Sequence, residues 1–312
     1  MSEEQENSVP KRSQRAKAQP VQAQPEIIIA PDEQQKRVSK DDLSKILESE
    51  FAAALTKVYV NSLDREVAFR EVKVVEQKAL TRTMAANENR KDIAYDAQCA
   101  LINELCLDSD FDVYKVSEFD RLKLMMAIYQ ANMFQNEIKF TCEECGAENR
   151  YRIDFDRMIG RLDEFDLDPK KFSYGNRSFD FEFTVAYPTV RRVSSFYASF
   201  CAKHKGKSRQ QVRADDGMAN MEYVNLFIRA IRMTNKATGA TRDIDLTGYG
   251  ISDAEEILSK FPQDVLYTDK GVVTFVVEEF IKPLNDSFDK HKCFKCGHEH
   301  EKGDIDNPES FF

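Results

Sequence analysis

Two short cysteine turns of one form, placed far apart, constrain this chain more than any other feature of it. They read Thr141-Cys142-Glu143-Glu144-Cys145-Gly146 and Lys292-Cys293-Phe294-Lys295-Cys296-Gly297, both C-x-x-C-G. Two intervening residues let a tight turn aim both sulfurs at one ion. The glycine that follows accepts a positive φ and leaves backbone N–H groups free to approach sulfur. Ile138 and Phe140 before the first turn, and Tyr151 and Ile153 after it, have strand character, so this turn reads as a knuckle at a hairpin tip. Together the knuckles supply four thiolates, enough for a closed tetrahedral zinc site made by Cys142, Cys145, Cys293 and Cys296. A standard ribbon keeps its pairs much closer. The separation therefore predicts a ribbon interrupted by an inserted domain, with the C-terminal part returning to the first knuckle at the metal. The same residues admit other readings: His298 or His300 in place of one thiolate, two separate sites, or no metal. A thioredoxin-like dithiol expects a single C-x-x-C at a strand-to-helix junction, which neither pair shows.

Cysteine usage and charge narrow the class. Seven cysteines are an odd number, and the opening MSEEQENSVPKRSQ has no apolar leader. Metal binding in a reducing compartment explains this better than disulfides do. A site closed by four protein ligands has no open position for substrate, so the expectation is a structural ion and no enzyme. The net charge of -9 argues against nucleic acid. The basic stretch from Lys203 to Arg213 argues weakly for it, and keeps a zinc-ribbon nucleic-acid-binding or transcription-associated factor as the alternative. No stretch approaches the ~18 consecutive apolar residues of a membrane span.

Residues 1–38 read as a disordered tail, rich in Gln and Pro, whose short apolar run Ile27, Ile28 and Ile29 is a candidate partner anchor. Ser39 opens a helical pattern through Leu43, Ile46, Leu47, Phe51 and Leu55. Val58, Val60, Val67 and Phe69, spaced in twos about Asn61-Ser62-Leu63-Asp64, predict a β-hairpin. Helices are expected over about 72–85, 88–107 and 117–135, with Asn87 or Asn89 capping the second. Ser117 with Asp120 makes an acidic capping box for the third. That helix carries Leu122, Met125, Met126, Tyr129 and Met133, read as core filler, while Cys99 and Cys106 read as buried thiols on one face of the second.

After the first knuckle, Phe179, Phe181, Phe183 and Val185 alternate as a strand with one wet face. A helix is expected after Pro188, running to about Lys203. Another, over about 217–234, would put Met221, Val224, Phe227, Ile228 and Ile231 on one face. Ser252 and Glu255 suit a capping box for 253–260, Pro262 opens a short helix, and 271–283 fits helix or strand. The expected fold is α+β: a disordered tail 1–38, an N-terminal hairpin and helical domain 39–136, the first zinc knuckle 137–155, an inserted α+β domain 156–285, and the second knuckle with a C-terminal tail, 286–312.

Catalytic motifs fail on inspection. Gly206-Lys207-Ser208 lacks the earlier glycine of a phosphate loop, since position 201 is Cys. His298-Glu299-His300 lacks the second helical histidine of a metalloprotease, since position 302 is Lys. No small-molecule substrate is indicated.

The order of parts is more specific than any one of them. A hairpin VYVNSLDREVAFREVKVVEQKAL, helices, the knuckle NEIKFTCEECGAENRYRIDFD and a distant KCFKCGHEHEKGDIDNPESFF resemble the T-even-type phage baseplate protein family, whose members include hub subunits and a hub assembly factor. The likeness covers most of 56–170 and roughly the last 50 residues. It implies a non-enzymatic structural or assembly role in the hub of a contractile tail. The implied partners are other tail and baseplate hub proteins, and the implied location is the virion tail baseplate, assembled in host cytoplasm. It brings no catalytic residues; only the four cysteines map onto a motif, as zinc ligands. Phe311 and Phe312, two terminal aromatics after an acidic stretch, are a second candidate anchor.

Overall fold

The computed structural model describes residues 39, 41–43, 45–46, 56–87, 90–132, 137–152, 154–205, 222–287 and 291–300. The chain divides into two compact units, Met1–Ser44 and Lys45–Phe312. In the first, Ser39 starts a helical turn over 41–43, its Oγ accepting from Asp42 N at 3.1 Å and its carbonyl from Leu43 N at 2.9 Å. Leu47, Phe51 and Leu55, the anchors Ile27, Ile28, Ile29, Phe311 and Phe312, the basic stretch from 206 to 213, and Asn89, Met133 and Met221 lie outside the described residues.

The second unit opens with strands β1 (Thr56–Val60) and β2 (Arg65–Phe69), paired antiparallel with Val58 opposite Val67. Period two puts Val58, Val60, Val67 and Phe69 on one face, and all four are buried. The reversal needs one left-handed residue, which Asp64 supplies at φ 52°. Helices α1 (Val74–Ala86), α2 (Lys91–Leu105) and α3 (Glu118–Ala131) follow. Asn87 does not cap α2. It closes α1, where its Nδ2 donates to the Thr83 carbonyl at 2.8 Å, and α2 starts after Arg90 with no side-chain cap. Cys99 is buried on α2, but Cys106 lies past the helix end, half-buried, where the chain turns extended and bridges Phe69 of the hairpin.

α3 is the centre of the unit. Ser117 caps it, its Oγ accepting from Asp120 N at 3.0 Å. From Glu118 to Tyr129 every residue but Leu122 is buried, so Met125, Met126 and Tyr129 of the stripe are core, and the polar residues between are core too. The charged side chains among them are each paired or hydrogen-bonded. Asp120 departs from a capping box: its two oxygens accept from Asn61 N and Ser62 N, both at 2.9 Å, across the hairpin turn. Lys123 donates to the Tyr59 carbonyl at 2.9 Å and pairs with Asp163. Arg121 pairs with Glu118 at 2.6 Å and donates to Gln98 Oε1 at 2.9 Å. Hydrogen-bonded burial of this kind avoids the penalty of an orphaned charge.

The first knuckle spans β3 (Glu137–Thr141) and β4 (Glu148–Arg152), and α4 (Phe155–Asp163) leads to an antiparallel four-stranded sheet. Its order follows the chain: β5 (Lys170–Gly175), β6 (Phe179–Val185), β7 (Ile228–Asn235) and β8 (Thr241–Asp245), with α5 (Val190–Lys203) leaving between β6 and β7. Of the helix expected over 217–234, the described residues keep 222–225 helical, while Ile228 and Ile231 lie on β7. The reason is a bulge. Thr184 faces Ala230 but Val185 faces Ile228, so Arg229 is an extra residue. It lets Ile228 and Ile231, three apart, both turn inward and imitate helical spacing. α6 (Ile251–Leu258) also starts earlier than expected, behind Gly250 with no side-chain cap. Ser252 thus sits inside the first turn, and Glu255 meets Lys203 at 3.0 Å instead of closing a capping box.

Pro262 precedes α7 (Gln263–Leu266). The run after Gly271 is a helix, α8, in three stretches: Val272–Val276, a π-helical Val277–Ile281 and Lys282–Ser287. A π turn leaves main-chain groups without their usual partners, and Tyr187 Oη donates to the Phe280 carbonyl at 3.0 Å. One buried cluster joins hairpin, helices, sheet and α8; Phe119 of α3 packs on Phe165 and Tyr187 at 5.4 and 5.2 Å between ring centres. The described chain ends in β9 (His291–Lys292) and β10 (Glu299–His300), the strands of the second knuckle.

Candidate metal centre

Each cysteine pair sits in a turn between two antiparallel strands, β3 with β4 and β9 with β10. The turns are closed alike. Cys142 N donates to the Ala147 carbonyl at 2.9 Å and Gly146 N to the Cys142 carbonyl at 2.8 Å. Cys293 N donates to the His298 carbonyl at 2.8 Å and Gly297 N to the Cys293 carbonyl at 2.9 Å. Gly146 and Gly297 take φ of 66° and 72°, the left-handed conformation that each turn requires.

The two turns face each other, and their four sulfurs lie within 4.8 Å of one another. Cys142 Sγ is 3.7 Å from Cys296 Sγ, and Cys145 Sγ is 3.5 Å from Cys293 Sγ. Four metal–sulfur bonds at tetrahedral angles set sulfur–sulfur edges of about 3.8 Å. The donor set therefore fits a tetrahedral, thiophilic ion. Among the described residues, this metal-capable group contains the four cysteines and no histidine, so His298 does not displace a thiolate. Cys142 and Cys293 are buried, Cys145 is half-buried and Cys296 is exposed, which sets the cluster at the edge of the molecule.

Asn149 on β4 ties the turns together, and nothing in the sequence marks it. It is 3% exposed. Its Nδ2 donates to the Ala147 carbonyl at 2.9 Å and approaches Cys293 Sγ at 3.6 Å, while its Oδ1 accepts from Phe294 N at 3.0 Å. One side chain of the first knuckle thus holds backbone and sulfur of the second. The N–H groups of Cys296 and Lys295, then the Cys145 thiol and the Asn149 amide, favour the Cys293 thiolate and outweigh desolvation, so this thiol is held down to about 6. Cys296 goes the other way. The His298 N–H favours its thiolate, but desolvation and the sulfurs of Cys145, Cys293 and Cys142 prevail and push it up to about 12. Four thiolates this close repel, and a dication bound among them would supply the counter-charge for all of them to ionise.

Fold and site define a mixed α+β protein whose two remote cysteine turns converge on one four-sulfur cluster. The chain belongs to the T4 bacteriophage base plate protein family, whose model matches residues 53–236. That span holds the hairpin, the helices, the first knuckle and the sheet through β7, and it stops short of Cys293 and Cys296. No curated protein and no solved structure matches the chain. Among the described residues, no helix is long and apolar enough to cross a membrane.

Proposed function

We propose that this protein is a non-enzymatic structural or assembly component of a contractile phage tail baseplate, at its hub, where it binds other tail proteins. The family match over 53–236 carries this reading. We infer further that Cys142, Cys145, Cys293 and Cys296 hold one structural zinc ion. Soft thiolates in a tetrahedron suit zinc, and four protein ligands leave no position for a reacting water. The zinc's work is then mechanical: binding energy becomes folding energy, and the ribbon clasps the segment 156–285 between the knuckles 137–155 and 286–312. The hairpin and helical part, 39–136, stands before the clasp. The tail with Ile27, Ile28 and Ile29, and the terminal Phe311 and Phe312, are proposed as segments that order against partners. Assembly in host cytoplasm keeps the thiols reduced and lets zinc take the place of disulfides.

Mass spectrometry of purified virions and of baseplate assembly intermediates tests the role. The chain is expected with hub proteins in one or both; absence from both overturns the reading. Strong DNA or RNA binding at physiological salt in a gel shift would favour a nucleic-acid factor instead. Elemental analysis tests the metal: one zinc per chain, lost from the double variant Cys142→Ser, Cys293→Ser. Stoichiometric zinc in that variant rules out the shared site.

A further inference from the structure

Arg192 and Arg229 differ from the other arginines that the fold draws out of water. Arg70 and Arg121 each hold a carboxylate, Glu76 at 2.7 Å and Glu118 at 2.6 Å. Arg192 and Arg229 are half-buried without one: among the described residues their acceptors are main-chain carbonyls alone. Arg192 Nη1 donates to the Leu246 carbonyl at 3.0 Å, and Arg229 Nη2 to the Tyr187 carbonyl at 2.8 Å. Arg192 Nε is sealed from water with no acceptor.

Topology brings the two together. Arg192 lies in the first turn of α5, behind its cap Thr189. Arg229 is the bulge residue of β7, turned out of the strand's alternation, and it reaches back to Tyr187 in the connection between β6 and α5. Leu246, which Arg192 holds, follows Asp245, the strand partner of Ala230 beside Arg229. Desolvation lowers both guanidiniums from the ordinary arginine value; for Arg192 the charge of Arg229 adds to this and that of Asp245 opposes it. Cations withdrawn from water in this way are costly until an anion meets them.

We propose that Arg192 and Arg229 form a seat for a carboxylate presented by an acidic segment of a partner protein. Guanidinium edges suit a planar carboxylate, and arginine is a frequent anchor at protein interfaces. Asp245 selects the class of anion. Its own oxygen is engaged by Thr247 N at 2.9 Å and Thr247 Oγ1 at 2.7 Å, yet its charge remains close by. Two guanidiniums against one carboxylate leave a single positive charge, which matches a carboxylate better than a doubly charged phosphate. That the carboxylate comes from a protein rests on the baseplate reading above.

The probe is a blocked hexaglutamate peptide added to the full, zinc-loaded chain at low salt. Its binding is expected to weaken at least tenfold in the double variant Arg192→Gln, Arg229→Gln, with zinc content unchanged. Arginine side-chain NMR signals of the unmodified protein supply a readout that needs no variant: those of Arg192 and Arg229 should shift as peptide is added. Unmoved signals, or equal peptide binding by the double variant, would overturn the seat. Tighter binding of inorganic phosphate or of a DNA oligonucleotide than of peptide, at matched ionic strength, would overturn the carboxylate. These measurements use the isolated chain, so their failure is separate from the absence of the chain in virions.

Discussion

Replacing Asn149 separates what hydrogen bonds contribute to the clasp from what sulfur contributes. Leucine at this position would leave Phe294 N and the Ala147 carbonyl without their partner and remove the donor facing Cys293 Sγ. Groups that orient metal ligands commonly carry about 10- to 100-fold in affinity. Asn149→Leu should therefore weaken binding of the proposed zinc by that order in competition with a chromophoric chelator, while the proposed stoichiometry of one is kept; unchanged affinity would sink the bridging role. Acid should release the ion as well, because protons compete for thiolates. The sign is the same at each thiol: Cys296, pushed up to about 12, already holds a proton near neutrality that the ion must displace, and below about 6 Cys293 adds another, so affinity falls as pH falls and more steeply below about 6. At this scale the sequence was legible where chemistry forces residue type. Two C-x-x-C-G turns named all four clustered cysteines and the left-handed glycine that closes each turn. Asn149 was not legible, because a polar residue in a strand has no periodic signature and gains its meaning only from a knuckle more than a hundred residues away.

Elements are held by a few polar side chains from α3. Asp120 accepts from two backbone N–H groups of the hairpin turn, and Lys123 donates to a carbonyl of β1. A hydrogen bond to a charged group contributes roughly 1.5–3 kcal/mol. Asp120→Ala removes both of its bonds to the turn, together with the bond its Oδ2 accepts from Ser117 Oγ at 2.8 Å, and strands two backbone donors, and should lower unfolding free energy by about 3 kcal/mol in urea titration. A loss below about 0.5 kcal/mol, the usual range for surface changes, would show that the hairpin docks by its apolar face alone. The hairpin and the three helices were legible because their periods are regular: Val58, Val60, Val67 and Phe69 alternate without interruption. β7 was not, since the extra Arg229 shifts its inward residues to a spacing of three. Caps were misplaced for a related reason. Ser252 and Glu255 satisfy the capping-box spacing, but the glycine before Ile251 lets the helix start sooner.

In the unit from Lys45 onward the four cysteines converge beside a buried core, and the proposed metal would clasp them. Chelation should therefore lower the melting temperature and expose the segment after α8 to protease before the core is cut; equal melting curves with and without chelator would show that the cluster adds nothing to the fold. The return of the C-terminal knuckle was legible from cysteine count and spacing. The single buried cluster was not, because Phe119 meets Phe165 and Tyr187 through contacts that no local pattern records.

The separation of 148 positions from Cys145 to Cys293 also sets a clock. At roughly 5–20 residues per second, a ribosome needs about 7–30 s to deliver the second turn after the first. Through that interval the nascent chain carries two thiols with no mates, open to oxidation or to pairing with a neighbouring chain on the same message. A reducing cell interior is thus needed during synthesis, and not only afterwards.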